Sequence, residues 1–366
     1  MKIAIVHDYL CGMGGAERIF QYICEEFPEA DVFTLAYNPA ITLPFFKSVN
    51  INTTWLNRFV QSMEAFRWSF PIATYVMELL DLSSYDVVLS SSATVAKYVK
   101  VPNGKHICYC YIPTRALWQT EEYFRNSLKG VLVKTVLSYL KQRDYAAAQR
   151  VDQFIAISQF TKNQIASIYQ RDAKIIFSPI DLDRFAPSPH RGDHYLVVSR
   201  LEKWKSVDYA IEAFTKLGLP LRVIGTGREE RHLRNMAGPN IRFLGSVDDS
   251  TLAREYAEAK AVVFTPYLEY GLVPLEANAC GTPVICYGVG GITETMIPWA
   301  SDQAVSATPT AVFFYEQTAN ALAEAIEQFE QVTFNDASLI QHAELWGVPA
   351  FKRQLRDVVS VFLHSK

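Results

Sequence analysis

Residues 261–296 read AVVFTPYLEYGLVPLEANACGTPVICYGVGGITETM, and the order of strand, glycine and carboxylate in this stretch decides the fold class. Residues 261–266 read as a short buried strand and residues 271–280 as the helix after it. Between them stand Glu269, Tyr270 and Gly271, with Glu276 following on the helix. Residues 283–288 give a second strand that runs into Gly288, Val289, Gly290 and Gly291. Two strands thus deliver glycine-rich helix N-termini to one sheet edge, where unpaired backbone N–H groups and the helix dipole favour an anion. Glu276, about a turn and a half into the first helix, projects back toward that N-terminus, placed to accept hydrogen bonds from sugar hydroxyls. A nucleotide supplies both the phosphate and the sugar.

The chain around this stretch has 366 residues, more than one typical domain, so two domains are the expectation. A charged fraction of 20% and a hydrophobic fraction of 49% describe a globular protein with ample core. A net charge of −3 gives no reason to expect nucleic acid as a partner. Six cysteines are too few and too scattered for a disulfide scaffold. Cys108 and Cys110 alternate with Tyr109 along an apparent strand without metal-ligand spacing. A reducing, cytoplasmic setting is therefore expected. Met1 and Lys2 lead straight into an apolar strand, so no signal peptide is expected, and no apolar run reaches spanning length. Contact with a membrane would be peripheral, at its inner face.

Working back to the N-terminus, residues 3–6 read as a strand, Gly12, Met13, Gly14 and Gly15 as a turn, and residues 16–27 as a helix. This is the local grammar of a doubly wound α/β fold. Glu17 stands where the third glycine of a dinucleotide fingerprint belongs, which argues against a nicotinamide enzyme. The turn reads either as a plain tight turn or as a phosphate-facing loop. Further strands are expected at 31–35, 49–54, 86–90, 106–112, 154–158 and 174–179. After a proline-bearing hinge at 180–189 the pattern restarts, with strands at 195–198, 221–224 and 241–244 and helices at 207–217, 229–236 and 250–259. Residues 310–316, then helices near 319–331 and 337–346 and an amphipathic segment at 349–363, finish the chain. Alternating strands and helices imply parallel sheets in both halves. The expected division is 1–187, 188–345 and a C-terminal segment 346–366.

Two stretches admit a choice. Residues 55–80 carry Trp55, Phe59, Phe66, Trp68 and Phe70 among few charges, broken by Pro71, and read as core packing or as a membrane-facing surface. Residues 129–143 set Lys129, Lys134, Lys141 and Arg143 among Val131, Leu132, Val136, Leu137 and Leu140. They read as a solvated helix face, or as a surface for anionic membrane or an acceptor's lipid tail. In the hinge, Asp181 and Asp183 are two carboxylates beside a turn, which is thin support for a metal.

Past the first strand of the second half come Arg200, Leu201, Glu202, Lys203, Trp204 and Lys205. A bidentate guanidinium with a lysine point charge nearby suits a diphosphate that departs carrying new negative charge. Together with Phe243-Leu244-Gly245, with the run from Glu269 to Val284, and with Gly290-Gly291-Ile292-Thr293-Glu294-Thr295, these residues resemble the retaining glycosyltransferases of family 4. The nearest likeness is to bacterial mannosyltransferases of O-antigen and other surface polysaccharides. The likeness extends from His7-Asp8 and Gly14-Gly15-Ala16-Glu17-Arg18 through Arg171-Asp172-Ala173 to the run from Phe313 to Thr318, nearly the whole chain.

The resemblance implies a GT-B architecture: two Rossmann-like domains with parallel sheets facing across a cleft, the first for the acceptor and the second for a nucleotide sugar. It implies that the last helix crosses back to the first domain. By match, Arg200 and Lys205 hold the diphosphate, N–H groups near Leu272 and Val273 at Gly271 meet the distal phosphate or sugar, and Glu276 binds ribose. Gly14 and Gly15 join the donor-binding set. No cofactor and no metal is expected, and the sugar is transferred with retention, the departing phosphate helping to deprotonate the acceptor. The family pattern places seven residues between its two glutamates, which puts Leu268 at the first position and Glu269 one residue later. Where relatives carry a histidine near the reaction centre, this chain has Tyr111, with His106 five residues earlier. The leading expectation is transfer of mannose from GDP-mannose to a glycan or a polyprenyl-diphosphate-linked acceptor, with Arg200, Lys205, Glu269 and Tyr111 nearest the chemistry. The alternatives are a sugar-nucleotide epimerase of the same architecture and a donor-binding, inactive partner of another transferase.

Overall fold

The computed structural model describes residues 2–119, 131–300 and 308–363. It divides into two compact units, one of Met1–Ser178 with Pro349–Lys366 and one of Pro179–Val348.

In the first unit the strands are β1 (Ile3–His7), β2 (Asp31–Thr34), β3 (Ile51–Thr53), β4 (Val87–Ser92), β5 (Lys105–Cys110), β6 (Gln153–Ala156) and β7 (Ala173–Ile175). They form one sheet in the order β3-β2-β1-β4-β5-β6-β7, and its ladders are parallel. The helices are α1 (Gly15–Glu26), α2 (Met63–Glu78), α3 (Arg115–Trp118), α4 (Val131–Gln149) and α5 (Gln159–Tyr169). Every residue of β1 and β4 is buried, as expected of central strands covered by helices on both faces. In the second unit, β8 (Tyr195–Val198), β9 (Leu221–Ile224), β10 (Ile241–Gly245), β11 (Ala261–Phe264), β12 (Val284–Tyr287) and β13 (Ala311–Phe314) form a parallel sheet in the order β10-β9-β8-β11-β12-β13. Around it lie α6 (Val207–Leu217), α7 (Glu230–Met236), α8 (Asp249–Glu258), α9 (Leu272–Ala279), α10 (Ala319–Phe329) and α11 (Asp336–Ala343).

The last helix, α12 (Val348–Leu363), belongs with the first unit from Pro349 onward. Its Phe351 ring meets Tyr109 edge-on at 5.7 Å, Lys352 pairs with Glu25 at 2.8 Å, and Arg356 pairs with Glu26. Phe351, Leu355, Val358 and Val359 are buried, so the apolar stripe does the packing and the ion pairs edge it.

Three local readings change. The glycine run after β12 opens no α-helix: Gly291–Glu294 is a single 3-10 turn, entered through Gly290 at φ +93°. Pro71 does not break α2, which runs through it. Phe66, Phe70, Ala73 and Met77 bury one face of that helix, and this outweighs a lost backbone bond of about 3 kcal/mol. Core packing accounts for only part of the 55–80 stretch, because Trp55, Phe59 and Trp68 are exposed. In the 129–143 stretch Leu140 is buried, Val136 is exposed, and Lys129 lies outside the described residues.

A buried ionic knot fixes α4. Asp144 is fully buried and pairs with Lys97 at 2.8 Å. It also accepts from Tyr98 at 2.9 Å, Thr114 at 2.9 Å, Trp118 Nε1 at 2.7 Å and Tyr169 at 2.6 Å. Breaking one member of so well satisfied a buried charge costs several kcal/mol, about 3–5 in typical cases.

Candidate functional site

In each sheet the chain runs outward from one pair of adjacent parallel strands, β1 with β4 in the first and β8 with β11 in the second. Loops leaving the carboxyl ends of such a pair diverge, and the crevice between them is where open α/β sheets bind ligands. In the second unit these two loops carry the cations and the carboxylates.

The loop after β8 holds Arg200 and Lys205 on either side of Trp204. The guanidinium of Arg200 lies 5.6 Å from the indole centroid and the Lys205 ammonium 4.4 Å from it. Two like charges are thus held close by a ring that attracts both. The Lys205 carbonyl accepts from Thr265 Oγ1 at 3.0 Å, one residue past β11, and Gln317 Nε2 donates to the Thr265 carbonyl at 3.0 Å. Ser206 follows at φ +54°, a left-handed conformation that a non-glycine residue adopts only under constraint. Gly225, at φ +129°, and Gly227 let the next loop close over this one: a Cβ on Gly225 would stand 1.9 Å from the Ser199 carbonyl, and one on Gly227 2.2 Å from that of Leu201. The sequence places Trp204 in the cation-bearing motif but does not reveal its contact with both cations, nor the roles of Gly225 and Gly227. An aromatic between two cations and a G-x-G directly after β9 were the signals.

The loop after β11 leads into α9 through Gly271. Ser62, Ser158, Asp248, Thr318 and Asn335 cap α2, α5, α8, α10 and α11 with their side chains. The N-cap of α9 is Gly271, which has no side chain to cap it. Pro274 has no N–H, so the first-turn donors there are those of Leu272 and Val273. Glu276 is half-buried, and its Oε2 accepts from the Tyr256 hydroxyl of α8 at 2.9 Å. Tyr256 is fully buried; burial, then the neighbouring Glu276 charge, pushes its hydroxyl well above the usual phenol range, so it stays a donor. Glu269 is buried, with its backbone under the glycine pair: Gly291 N donates to the Leu268 carbonyl at 2.8 Å, and Leu268 bridges Gly290.

The other expected residues, Gly14, Gly15 and Tyr111, lie in the first unit. Gly14 and Gly15 are exposed at the N-terminus of α1, where Gly14 is the N-cap. Tyr111 is buried, donating to the Ala16 carbonyl at 3.0 Å and sharing a hydrogen bond of 2.9 Å with Ser91 Oγ. Ser91 Oγ in turn meets His7 Nδ1 at 3.0 Å. Burial pushes the Tyr111 hydroxyl well above the phenol range, so it acts as a fixed donor and not as a base. The anion nest beside β4 is filled from within: Asp8 accepts from the amides of Ala93, Thr94, Val95 and Ala96 at 2.6–2.8 Å. His106 faces the core with Nε2 2.8 Å from Ser90 Oγ. In the hinge, Asp181 caps its own turn by accepting from the Asp183 amide at 3.2 Å.

Comparison with known proteins bears on both units. The family model described as Glycosyltransferase Family 4 matches residues 13–184, and the one described as Glycosyl transferases group 1 matches residues 180–346. An uncharacterized glycosyltransferase of Methanocaldococcus jannaschii is 26% identical over 297 residues, covering 73% of each chain. An alpha-1,3/1,6-mannosyltransferase of Kluyveromyces lactis is 24% identical over 276 residues, 60% of this chain and 53% of that protein, so the chain spans about half the length of that relative. Among solved structures, Anabaena HepE in complex with UDP aligns over 99% of this chain and 100% of its own with a TM-score of 0.71 at 16% identity.

Proposed function

The chain belongs to glycosyltransferase family 4, with a GT-B fold of two parallel-sheet α/β domains, and from this premise we propose a retaining, metal-independent hexosyltransferase that moves mannose from GDP-mannose to a glycan or polyprenyl-diphosphate-linked acceptor of surface-polysaccharide synthesis. The observation that carries this reading is the pairing of Arg200 and Lys205 on Trp204 in the loop bonded to the end of β11, the strand that leads to the glycine N-cap of α9. When the bond from the sugar's anomeric carbon to the donor phosphate breaks, the electron pair leaves with the diphosphate. Two cations and the amides of Leu272 and Val273 stabilise that charge without rearranging. The acceptor oxygen attacks from the same face, and its proton passes to the departing phosphate oxygen. Glu276, steadied by Tyr256, takes the ribose hydroxyls, and Glu269 the transferred sugar. Tyr111 holds the turn at Ala16. Mannose as the sugar is supported by the mannosyltransferase relative; the base is open to test because a solved structural neighbour holds UDP. Six buried, unpaired cysteines support a reducing, cytoplasmic compartment.

The test begins with thermal shifts against GDP-mannose, UDP-glucose and related donors, since a ligand that binds only the folded chain raises its melting temperature. Arg200→Ala and Lys205→Ala are each expected to lower transfer by about a hundredfold or more while leaving the nucleotide-free melting temperature within about 2 °C. Near-normal turnover in both refutes the reading. Conversion of the donor with no acceptor present would identify an epimerase instead.

A further inference from the structure

Helix α2 carries two apolar stripes. Phe66, Phe70, Ala73 and Met77 face the core. Trp68, Ile72 and Tyr75, with Leu79 at the C-cap, follow the same i, i+4, i+7, i+11 spacing, face outward and are 84%, 54%, 42% and 75% exposed. The fold does not need the second stripe, and a helix apolar on both faces is normally covered on both. The stripe continues onto α4, where the Tyr139 hydroxyl meets that of Tyr75 and Val136 is exposed one turn earlier. Just upstream, Trp55 and Phe59 are exposed as an edge-to-face pair.

The charge beside the stripe names the occupant. Among the described residues Glu78 pairs with three cations, Lys100 at 3.2 Å, Arg143 at 3.2 Å and Arg150 at 3.1 Å, leaving two positive charges in excess in this ion-pair group next to Leu79. Arg143 also covers the Tyr75 ring at 3.6 Å. Exposed acids are present too, Glu64 on α2 and Asp81 beyond its end, and they lie outside this group. Tryptophan and tyrosine with an apolar body and polar tip, flanked by excess positive charge, suit the headgroup layer of an anionic bilayer. A second copy seated on this face by two-fold symmetry would set the same excess charge against itself. No helix among the described residues is long and apolar enough to cross a membrane, so the contact lies in the surface plane.

We propose that the α2–α4 face docks the first unit on an anionic lipid surface, with Trp68, Ile72 and Leu79 inserted and the Lys100–Arg143–Arg150 group on the headgroups. This is independent of the donor chemistry above. The test is flotation of the full chain with vesicles of phosphatidylcholine containing about a third phosphatidylglycerol, against phosphatidylcholine alone. The chain is expected to float with the anionic vesicles, less so as salt rises, and the Trp68→Ser/Leu79→Ser variant to partition at least about tenfold more weakly. Its melting temperature and its shift with nucleotide should match the parent chain, since neither side chain enters the core. Equal flotation of variant and parent, equal binding to both vesicle types, or no binding to either overturns the proposal. So does a dimer in light scattering that the variant abolishes, which would assign the face to a second copy.

Discussion

Trp204 organises the charge at the site more than either cation does alone. Arg200 and Lys205 repel one another, and the indole beside both supplies two cation–π contacts worth about 0.5–1 kcal/mol each at an accessible site. Trp204→Ala is therefore expected to weaken nucleoside diphosphate binding about tenfold, and Trp204→Phe by much less. Calorimetric titration decides it, and an unchanged affinity in the alanine variant would remove Trp204 from the site. The two carboxylates of the region separate at this scale as well. Glu276 is gripped by Tyr256 at one oxygen, whereas Glu269 is buried where its backbone meets the glycine pair.

Between elements, glycine determines how closely loops approach. A Cβ on Gly291 would lie 1.7 Å from the Glu269 carbonyl oxygen, so the loops after β11 and β12 pack only because that side chain is absent. Gly291→Ala is expected to cost about 2–4 kcal/mol in urea unfolding and to abolish the thermal shift with nucleotide. Gly218→Ala is the control. Its φ of +69° carries a backbone penalty of about 1 kcal/mol, but a Cβ there meets open space, so the nucleotide response should persist. The glycine run after β12 was legible in the sequence as a feature of the site. Its role was not, since local spacing cannot distinguish a helix start from a point where two loops touch.

For the molecule as a whole, the first unit carries a built-in sensitivity to acid. His106 is fully buried, its Nδ1 has no hydrogen-bond partner, and burial lowers its pKa from 6.5 to about 4. Burial lowers His7 to about 4 as well, against the opposing pull of Asp8. In both cases the unfolded chain binds a proton that the folded one refuses. The associated stability is complete above pH 6.5 and is lost as pH falls toward 4, by about 2 kcal/mol per histidine at pH 5. Urea melts of the His106→Gln variant between pH 7 and 5 should therefore show a shallower loss than the parent chain; an identical pH slope would rule out His106 as a contributor.

The amino-acid sequence by itself determined the alternation of strands and helices, the restart after the hinge, and several elements to the residue, among them β8, α6 and β9. It also singled out Arg200, Lys205 and Glu276, because periodicity, charge and glycine spacing are local properties of a chain. Only the tertiary structure decided what these residues touch. Thr265 reaches Lys205 across sixty residues, Tyr256 reaches Glu276 from another helix, and Asp8 fills a nest made more than eighty residues later. The tertiary structure also decided which aromatics of α2 became core and which became surface. Both stripes repeat with the period of one helix, and only its packing against the sheet selects the face that is buried.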